Sequence, residues 1–205
     1  MTQIFDTDGR VHPATVIATG PMTVTQIKTE DTDGYSALQV GFGEKKAKNT
    51  PKPQQGHYKK ALKAGGHADE KMFRYTRELK KDDIDPSIAL GHSFSVNDLL
   101  EEGDVVVVSG TTKGKGFQGV VKRHGFHGGP RSHGQKHTER SPGSIGGGLR
   151  TRVPKGMKMA GRMGGNTVTV KNLKVLKIDT EKNLLYIGGA VPGRRGTLLE
   201  ITVVK

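Results

Sequence analysis

The chain contains no cysteine, and this absence excludes disulfide bridges and zinc sites built from thiolates. Long apolar runs are also missing: the longest purely aliphatic run is VVVV at residues 105–108, far short of the ~18 residues that indicate a membrane-spanning helix. The first residues, MTQIFDTDGR, lack the basic and then apolar pattern of a secretory signal. We therefore expect a cytoplasmic protein with no membrane partner.

Acidic and large apolar residues are scarce in one part of the chain, residues 111–165. This part holds 12 of the 33 Lys and Arg residues, 15 of the 30 glycines and one of the 20 acidic residues, so it carries +11 of the net +13. Only 7 of its 55 residues are Phe, Ile, Leu or Val, a share below the ~20% under which a charged segment is not expected to fold alone. Because Gly and Pro interrupt it too often for an amphipathic membrane helix, we predict a nucleic acid as the partner that orders it.

The rest of the chain is rich in short β-type runs separated by turn signals, a pattern typical of a mainly β protein with a sandwich or barrel. The predicted strands cover residues 14–19, 22–28, 35–42, 104–109, 167–173, 174–179, 183–190 and 197–204. We predict a β-barrel from residues 1–42, 92–111 and 166–205, a small helical insertion at 43–91, and a long extended RNA-binding loop at 112–165, called here the basic loop.

Three local patterns give sharper structural expectations. Thr167 to Lys171 alternates polar and apolar residues and predicts a half-buried antiparallel strand. The residues DTEKN at 179–183 predict a hairpin turn. Met72, Tyr75 and Leu79 recur at intervals of three and four residues, which predicts a packing helix over residues 68–81.

The residues GKGFQG at 114–119 match a GxGxxG phosphate-binding pattern directly after a predicted strand. A dinucleotide site also needs a following helix, and the glycines at 125, 128 and 129 before Pro130 argue against one. No kinase HRD or DFG element is present. We therefore expect no cofactor, no small-molecule substrate and no enzymatic activity, and interpret these glycines as allowing close approach of the backbone to phosphate.

Four histidines of the basic loop, His124, His127, His133 and His137, have spacings that could hold zinc. No Cys or Asp accompanies them, and the surrounding positive charge opposes a divalent cation. We predict no metal site, and expect the rings to stack on bases or donate hydrogen bonds to RNA.

The candidate RNA-binding residues are basic or polar side chains placed singly or in pairs between glycines. This spacing is suitable for an extended segment that runs between RNA helices. Arg can bind phosphate with two hydrogen bonds and stack on a base, whereas Lys acts as a point charge. They are Lys113, Lys115, Lys122, Arg123, His124, His127, Arg131, Ser132, His133, Lys136, His137, Arg140, Arg150, Arg152, Lys155, Lys158 and Arg162. After the glycines at 146–148, Arg150 and Arg152 are the predicted contacts at the loop tip.

Several motifs in order closely resemble bacterial ribosomal protein L three over nearly the whole chain. They include GTTKGKGFQGVVKRHGF at 110–126, GGPRSHG at 128–134, KGMKMAGRMG at 155–164 and NLLYIGGAVPG at 183–193. The resemblance implies a β-barrel of the translation-protein type, and an extension that runs through large-subunit ribosomal RNA toward the peptidyl transferase centre. Residues 113–119, 122–126, 128–134 and 155–164 match the RNA-lining parts of that extension. Many relatives carry a Gln-containing stretch where this chain has GGLR at 147–150, so the modification of that Gln is not expected here.

We therefore predict a structural constituent of the large ribosomal subunit that binds ribosomal RNA, supports early assembly of the subunit and contacts neighbouring ribosomal proteins. Two alternatives are an RNA chaperone or assembly factor outside the ribosome, and a nucleotide-dependent enzyme that uses the loop at 114–119. Sedimentation with mature subunits separates the first from our prediction, and equilibrium binding of ATP or NAD separates the second.

Overall fold

A computed structural model describes residues 1–66, 71–80, 88–149 and 151–204. The protein is mainly β, as predicted. The described residues form twelve strands: β1 (Thr2–Phe5), β2 (Val11–Ala18), β3 (Met22–Lys28), β4 (Ala37–Lys46), β5 (Lys71–Lys80), β6 (Ser93–Phe94), β7 (Val105–Thr111), β8 (Gly116–Gln118), β9 (Gly161–Met163), β10 (Thr167–Asp179), β11 (Leu184–Gly188) and β12 (Leu199–Val203). The helices are α1 (Glu30–Asp33), α2 (Lys52–Ala64) and α3 (Val120–His124), with a 3₁₀ turn at Ala47–Asn49. In the described part of the chain, no helix is long and apolar enough to cross a membrane.

The strands form three sheets. Six strands lie in the order β1-β2-β11-β10-β7-β12, four in the order β5-β4-β3-β6, and β8 pairs with β9 alone. The chain divides into two compact units, one of residues 1–106, 172–190 and 203–205 and one of residues 107–171 and 191–202. Within the described residues each sheet order has two ends and no closure, so the closed barrel stays a prediction.

Most predicted strands are present with shifted ends. Residues 22–28 are matched residue for residue, and the two runs predicted at 167–173 and 174–179 form the single strand β10. The predicted hairpin is confirmed, because Asp179 pairs with Leu184 across β10 and β11. Its turn is held by the amide of Lys182, which donates to the Asp179 carboxylate at 3.0 Å, and Asn183 has a φ of 51°.

The predicted half-burial at the start of β10 is wrong for Val168, whose side chain is 43% exposed. The alternation of polar and apolar residues predicted the strand correctly, but no packing element among the described residues covers the Val168 side chain. On the other face Thr169 contacts β7, where the Ser109 and Thr169 hydroxyls are 2.8 Å apart.

The helix predicted over residues 68–81 is wrong: residues 71–80 form β5, and residues 68–70 and 81 lie outside the described residues. β5 pairs with β4 from Ala37↔Lys80 to Lys46↔Lys71. Nine paired positions along β4 outweigh a helical apolar stripe of three residues, because local propensity is weak beside tertiary pairing. The spacing of Met72, Tyr75 and Leu79 was therefore coincidental.

The helix of this region is α2, which begins directly after Pro51. Proline is tolerated in the first helical turn, where its missing N–H has no intrahelical acceptor, so Pro53 does not prevent this start. The helix buries Tyr58, Ala61 and Leu62, spaced as one helical face. The Tyr58 ring meets Phe73 of β5 edge-on at 5.5 Å between centroids. The insertion thus contains both a helix and a long strand.

An ion pair fastens β3 to the end of β5. Lys28 Nζ lies 2.8 Å from Glu78 Oε1, and the Tyr35 hydroxyl donates to Glu78 Oε2 at 2.7 Å. The hydrogen bond from Lys28, followed by that from Tyr35, holds the pKa of Glu78 below its ordinary value. The hydrogen bonds to Glu78 and Tyr35 raise the pKa of Lys28.

Candidate nucleic-acid interface

The two ends of the basic loop form a short antiparallel ribbon. β8 pairs with β9 in the register Gly116↔Met163, Phe117↔Arg162 and Gln118↔Gly161. Before the ribbon, the Lys115 amide donates to the Met163 carbonyl at 2.9 Å, and the Thr112 amide donates to the Asn166 carbonyl at 2.9 Å. The expectation of a loop without structure is therefore wrong at its base, where backbone hydrogen bonds provide order that few apolar side chains could supply.

Gly164 permits the close approach that closes the ribbon. Its φ is +75°, a conformation that side chains other than glycine rarely adopt. A Cβ at this position would overlap the carbonyl oxygen of Lys113 and lie 3.0 Å from the Cα of Gly114. The glycine is thus required where the outgoing and returning backbones meet.

A one-turn helix follows the GKGFQG segment, which corrects the expectation that no helix can form there. The helix α3 spans five residues and ends at Gly125, whose φ is 73°. Gly125, the first of the three glycines taken as evidence against a helix, is the C-terminal cap of α3. At five residues α3 is too short for the dinucleotide motif, which needs a full helix packed on a βαβ unit.

Arg123 and His124 connect α3 to the returning chain. Arg123 Nη1 donates to the Met159 carbonyl at 2.7 Å, and His124 Nε2 lies 3.1 Å from the same oxygen. A Cβ on Gly161 would be 2.7 Å from Arg123 Nη1, so the guanidinium lies against that glycine. These two predicted RNA contacts are half-buried and have protein partners in the free chain.

Residues 128–140 fold back on themselves in a small closed loop. The Gly129 amide donates to the Glu139 carbonyl at 2.9 Å, and Arg131 Nε lies 2.7 Å from Glu139 Oε1. His133 and His137 have φ angles of 59° and 62°, so the backbone turns sharply at both. Glu139, the one acidic residue of the basic loop, pairs with Arg131, so the other described cations of the loop have no carboxylate partner from within it.

The far part of the loop, residues 141–160, contains no helix or strand among its described positions. Leu149 is fully exposed, and Arg152, Lys155 and Lys158 are exposed as well. Arg150, one of the two predicted tip contacts, lies outside the described residues. Exposed charge on irregular backbone suits a partner that brings both counter-charge and shape.

Comparison with known proteins identifies the family. The model of the family described as Ribosomal protein L3 matches residues 79–185. A protein of Picosynechococcus sp. named large ribosomal subunit protein uL3 is 49% identical over 203 residues, which cover 98% of this chain and 91% of the relative. The chain belongs to the ribosomal protein L3 family. Proteins with the same name from Herpetosiphon aurantiacus and Bacillus thuringiensis are 48% and 46% identical, each over 98% of this chain.

Family membership confirms the resemblance drawn from the motifs. It also confirms the predictions of a ribosomal location and of a structural protein that is not an enzyme. Within the described residues there is no group of three or more His, Cys, Asp or Glu that could hold a metal ion.

The sixteen predicted contact residues that the structure describes divide into two groups in this L3 family member. Arg123 and His124 are half-buried against Met159. The fourteen exposed ones are Lys113, Lys115, Lys122, His127, Arg131, Ser132, His133, Lys136, His137, Arg140, Arg152, Lys155, Lys158 and Arg162. Sequence reasoning did not identify Arg123 as a residue that positions α3, and it did not select Phe117, whose ring is 77% exposed on the ribbon.

Proposed function

We propose that this protein is a structural constituent of the large ribosomal subunit and binds large-subunit ribosomal RNA through the basic loop. The observation that carries the proposal is the set of fourteen exposed, predicted contact side chains on a loop whose base is fixed by backbone hydrogen bonds. The relatives named large ribosomal subunit protein support this role. We further propose that the loop extends toward the peptidyl transferase centre, supports early subunit assembly and lies among neighbouring ribosomal proteins.

The parts of the basic loop differ in backbone order, and this difference suits different kinds of RNA contact. Lys115, Lys122 and Arg162 lie on ordered backbone in or beside the ribbon and α3, so their backbone loses little freedom on binding. The described residues of 141–160 have irregular backbone with glycines, which can follow a groove between RNA helices. Support for peptide-bond formation would be indirect, through the shape of the RNA.

We also propose the layout in which residues 1–42, 92–111 and 166–205 form a barrel of the translation-protein type, with insertions at 43–91 and 112–165. The antiparallel pairings of β1, β2, β11 and β10, and of β5, β4, β3 and β6, are compatible with it. In this layout the barrel anchors the protein and the basic loop supplies most of the positive charge.

The proposal is tested by a salt titration of two variants with equal charge. The loop variant changes five exposed lysines to Gln, and the control changes five exposed lysines of the helical insertion, so each net charge falls from +13 to +8. The loop set is Lys115, Lys122, Lys136, Lys155 and Lys158; the control set is Lys48, Lys52, Lys59, Lys60 and Lys63.

The loop variant is expected to bind an in vitro transcript of large-subunit ribosomal RNA more weakly and with a flatter dependence on salt. If all five lysines meet phosphates, the slope of log K against log salt falls by roughly 4 to 5 in magnitude. The control should keep most of the slope. If both variants lost the same RNA affinity and salt slope, the basic loop would contribute no more to RNA binding than the helical insertion. If the parent bound unrelated RNA as tightly as ribosomal RNA, an RNA chaperone would be favoured.

A further inference from the structure

Phe117 is an exposed aromatic ring in the middle of the ordered ribbon. Its side chain is 77% exposed, although it lies on β8 between two backbone-paired residues. Phe126, nine residues later, is half-buried and meets the His124 ring at 6.1 Å between centroids. An exposed Phe in a fixed position contributes little to the fold, so its packing does not explain its presence.

The surroundings of Phe117 are cationic. Arg162 lies directly opposite in the antiparallel register, and side chains of directly opposed residues project from the same face of a ribbon. The Arg162 guanidinium lies over Gly165, where an added Cβ would be 2.9 Å from Nη2. Lys115, two residues before Phe117, is exposed. Its backbone is fixed, because its amide donates a hydrogen bond to the Met163 carbonyl.

This combination matches the chemistry of an unpaired nucleotide. A base offers a π-face that stacks on an aromatic ring, and its phosphate offers oxygens to a guanidinium. An apolar pocket of a protein partner would instead require further apolar side chains around Phe117. In the ribbon, Gly116, Gln118, Gly161 and Arg162 supply none, and Met163, which pairs with Gly116, projects from the opposite face.

We propose that Phe117 stacks on an unpaired base of the bound RNA, with Arg162 contacting the phosphate backbone beside it. This inference rests on the proposed function and adds a contact that is aromatic and independent of salt. The glycines on either side of the ring, 116 and 119, leave open space, since a Cβ at either would meet no atom within 4 Å. A planar base can therefore reach the ring face.

The affinity test compares conservative changes at two exposed phenylalanines. Phe117→Leu removes the ring and keeps an apolar side chain; Phe5→Leu does the same on β1, where Phe5 is 68% exposed beside Asp6. With a transcript of large-subunit ribosomal RNA, Phe117→Leu is expected to bind roughly 5- to 150-fold more weakly, the range for losing one stacked base. The salt slope should stay unchanged, Phe117→Tyr should keep the affinity, and Phe5→Leu should bind as the parent does.

Arg162→Gln provides the electrostatic counterpart. Losing one phosphate contact should lower the magnitude of the salt slope by about one, whereas losing a stacked ring should not change it. If Phe117→Leu flattened the slope as Arg162→Gln does, the effect would reflect disturbed charge, and the stacking proposal would be wrong.

A fluorescence measurement tests the contact directly, because the chain contains no tryptophan. In Phe117→Trp the introduced indole is the sole tryptophan, and stacking on a base should quench its emission when the same transcript is added. The matched Phe5→Trp variant should keep its emission. A blue shift of the Phe117→Trp emission without quenching in assembled subunits would indicate burial in a protein partner and would overturn the proposal.

RNA binding by the chain and stacking by Phe117 can be refuted separately. If the parent chain did not bind the transcript, the proposed function would be lost together with this inference. If the parent bound with a steep salt slope while Phe117→Leu bound equally well and the Phe117→Trp emission stayed unquenched, only the stacking contact would be refuted. The amide protection of Lys115 and Gly165 in each variant verifies that the ribbon is intact.

Discussion

Replacement of residues 113–162 by a short Gly-Ser linker is expected to abolish stable incorporation into the large subunit while the remaining sheets stay folded. The change removes 12 of the 33 basic residues and the single acidic residue Glu139, so the net charge falls from +13 to +2. If ~6–10 of the removed side chains contact phosphates, affinity at physiological salt falls by orders of magnitude, and its salt dependence flattens.

The fold should survive this deletion because the residues on its two sides are hydrogen-bonded to each other. The Thr112 amide donates to the Asn166 carbonyl at 2.9 Å, and the Gly165 amide donates to the Thr112 carbonyl at 3.2 Å. A few linker residues can bridge this short distance at small entropic cost. Among the described residues, Val120 is the one buried core residue that the deletion removes.

Circular dichroism and thermal melting of the deletion variant, beside a salt titration of its binding to ribosomal RNA, check both halves of this prediction. A cooperative melt with strand signal and lost affinity is the expected pair of results. A folded variant with the affinity and salt slope of the parent would show that the basic loop is not the principal RNA-binding element.

The second large effect is expected from Gly164→Ala, which should open the ribbon. A methyl group there overlaps the Lys113 carbonyl oxygen in addition to forcing a φ of +75° on a residue with a side chain. Gly116→Ala is the matched control, because Gly116 has a φ of +68° but open space around its Cβ position. Both variants carry the conformational strain, roughly 1–2 kcal/mol, and only one carries the overlap.

Amide exchange of the free protein measures this difference. In Gly164→Ala the amides of Thr112, Lys115 and Gly165 should lose protection, and affinity for ribosomal RNA should fall because the outgoing and returning strands no longer hold the cations in place. In Gly116→Ala the effect should be much smaller. Equal loss in both variants would attribute the whole effect to the backbone angle and would contradict the close approach at Gly164.

The strands that could be predicted are those whose signal is local. Met22 to Lys28 carries β-type residues between turn signals, and the turn at 179–183 carries its own Asp and Asn. β5 was missed because its partner β4 begins 34 residues earlier, at Ala37, and no local pattern reports such pairing. The short strands β8 and β9 escaped prediction for the same reason, since more than 40 residues separate them along the chain.

The candidate interface was located by composition, because positive charge with few apolar residues is visible without a structure. Composition could not separate cations that face solvent from those that hold the loop together. Arg123 and Lys122 look alike in the sequence, yet Arg123 donates to the Met159 carbonyl while Lys122 is exposed. A sequence signal for Phe117 was present: it is a large aromatic residue between cations, in a segment with too few apolar residues to form a core.

Amide hydrogen exchange of the full chain, free and bound to large-subunit ribosomal RNA, tests directly whether the basic loop binds the RNA. In the free protein the ribbon amides of Thr112, Lys115 and Gly165 should be protected, while residues 141–158 should exchange rapidly. On binding, exchange should slow across residues 126–158, with smaller changes in the strands of residues 1–106. Slowing confined to those strands, with exchange in residues 126–158 unchanged, would contradict the claim that the basic loop is the RNA-binding element.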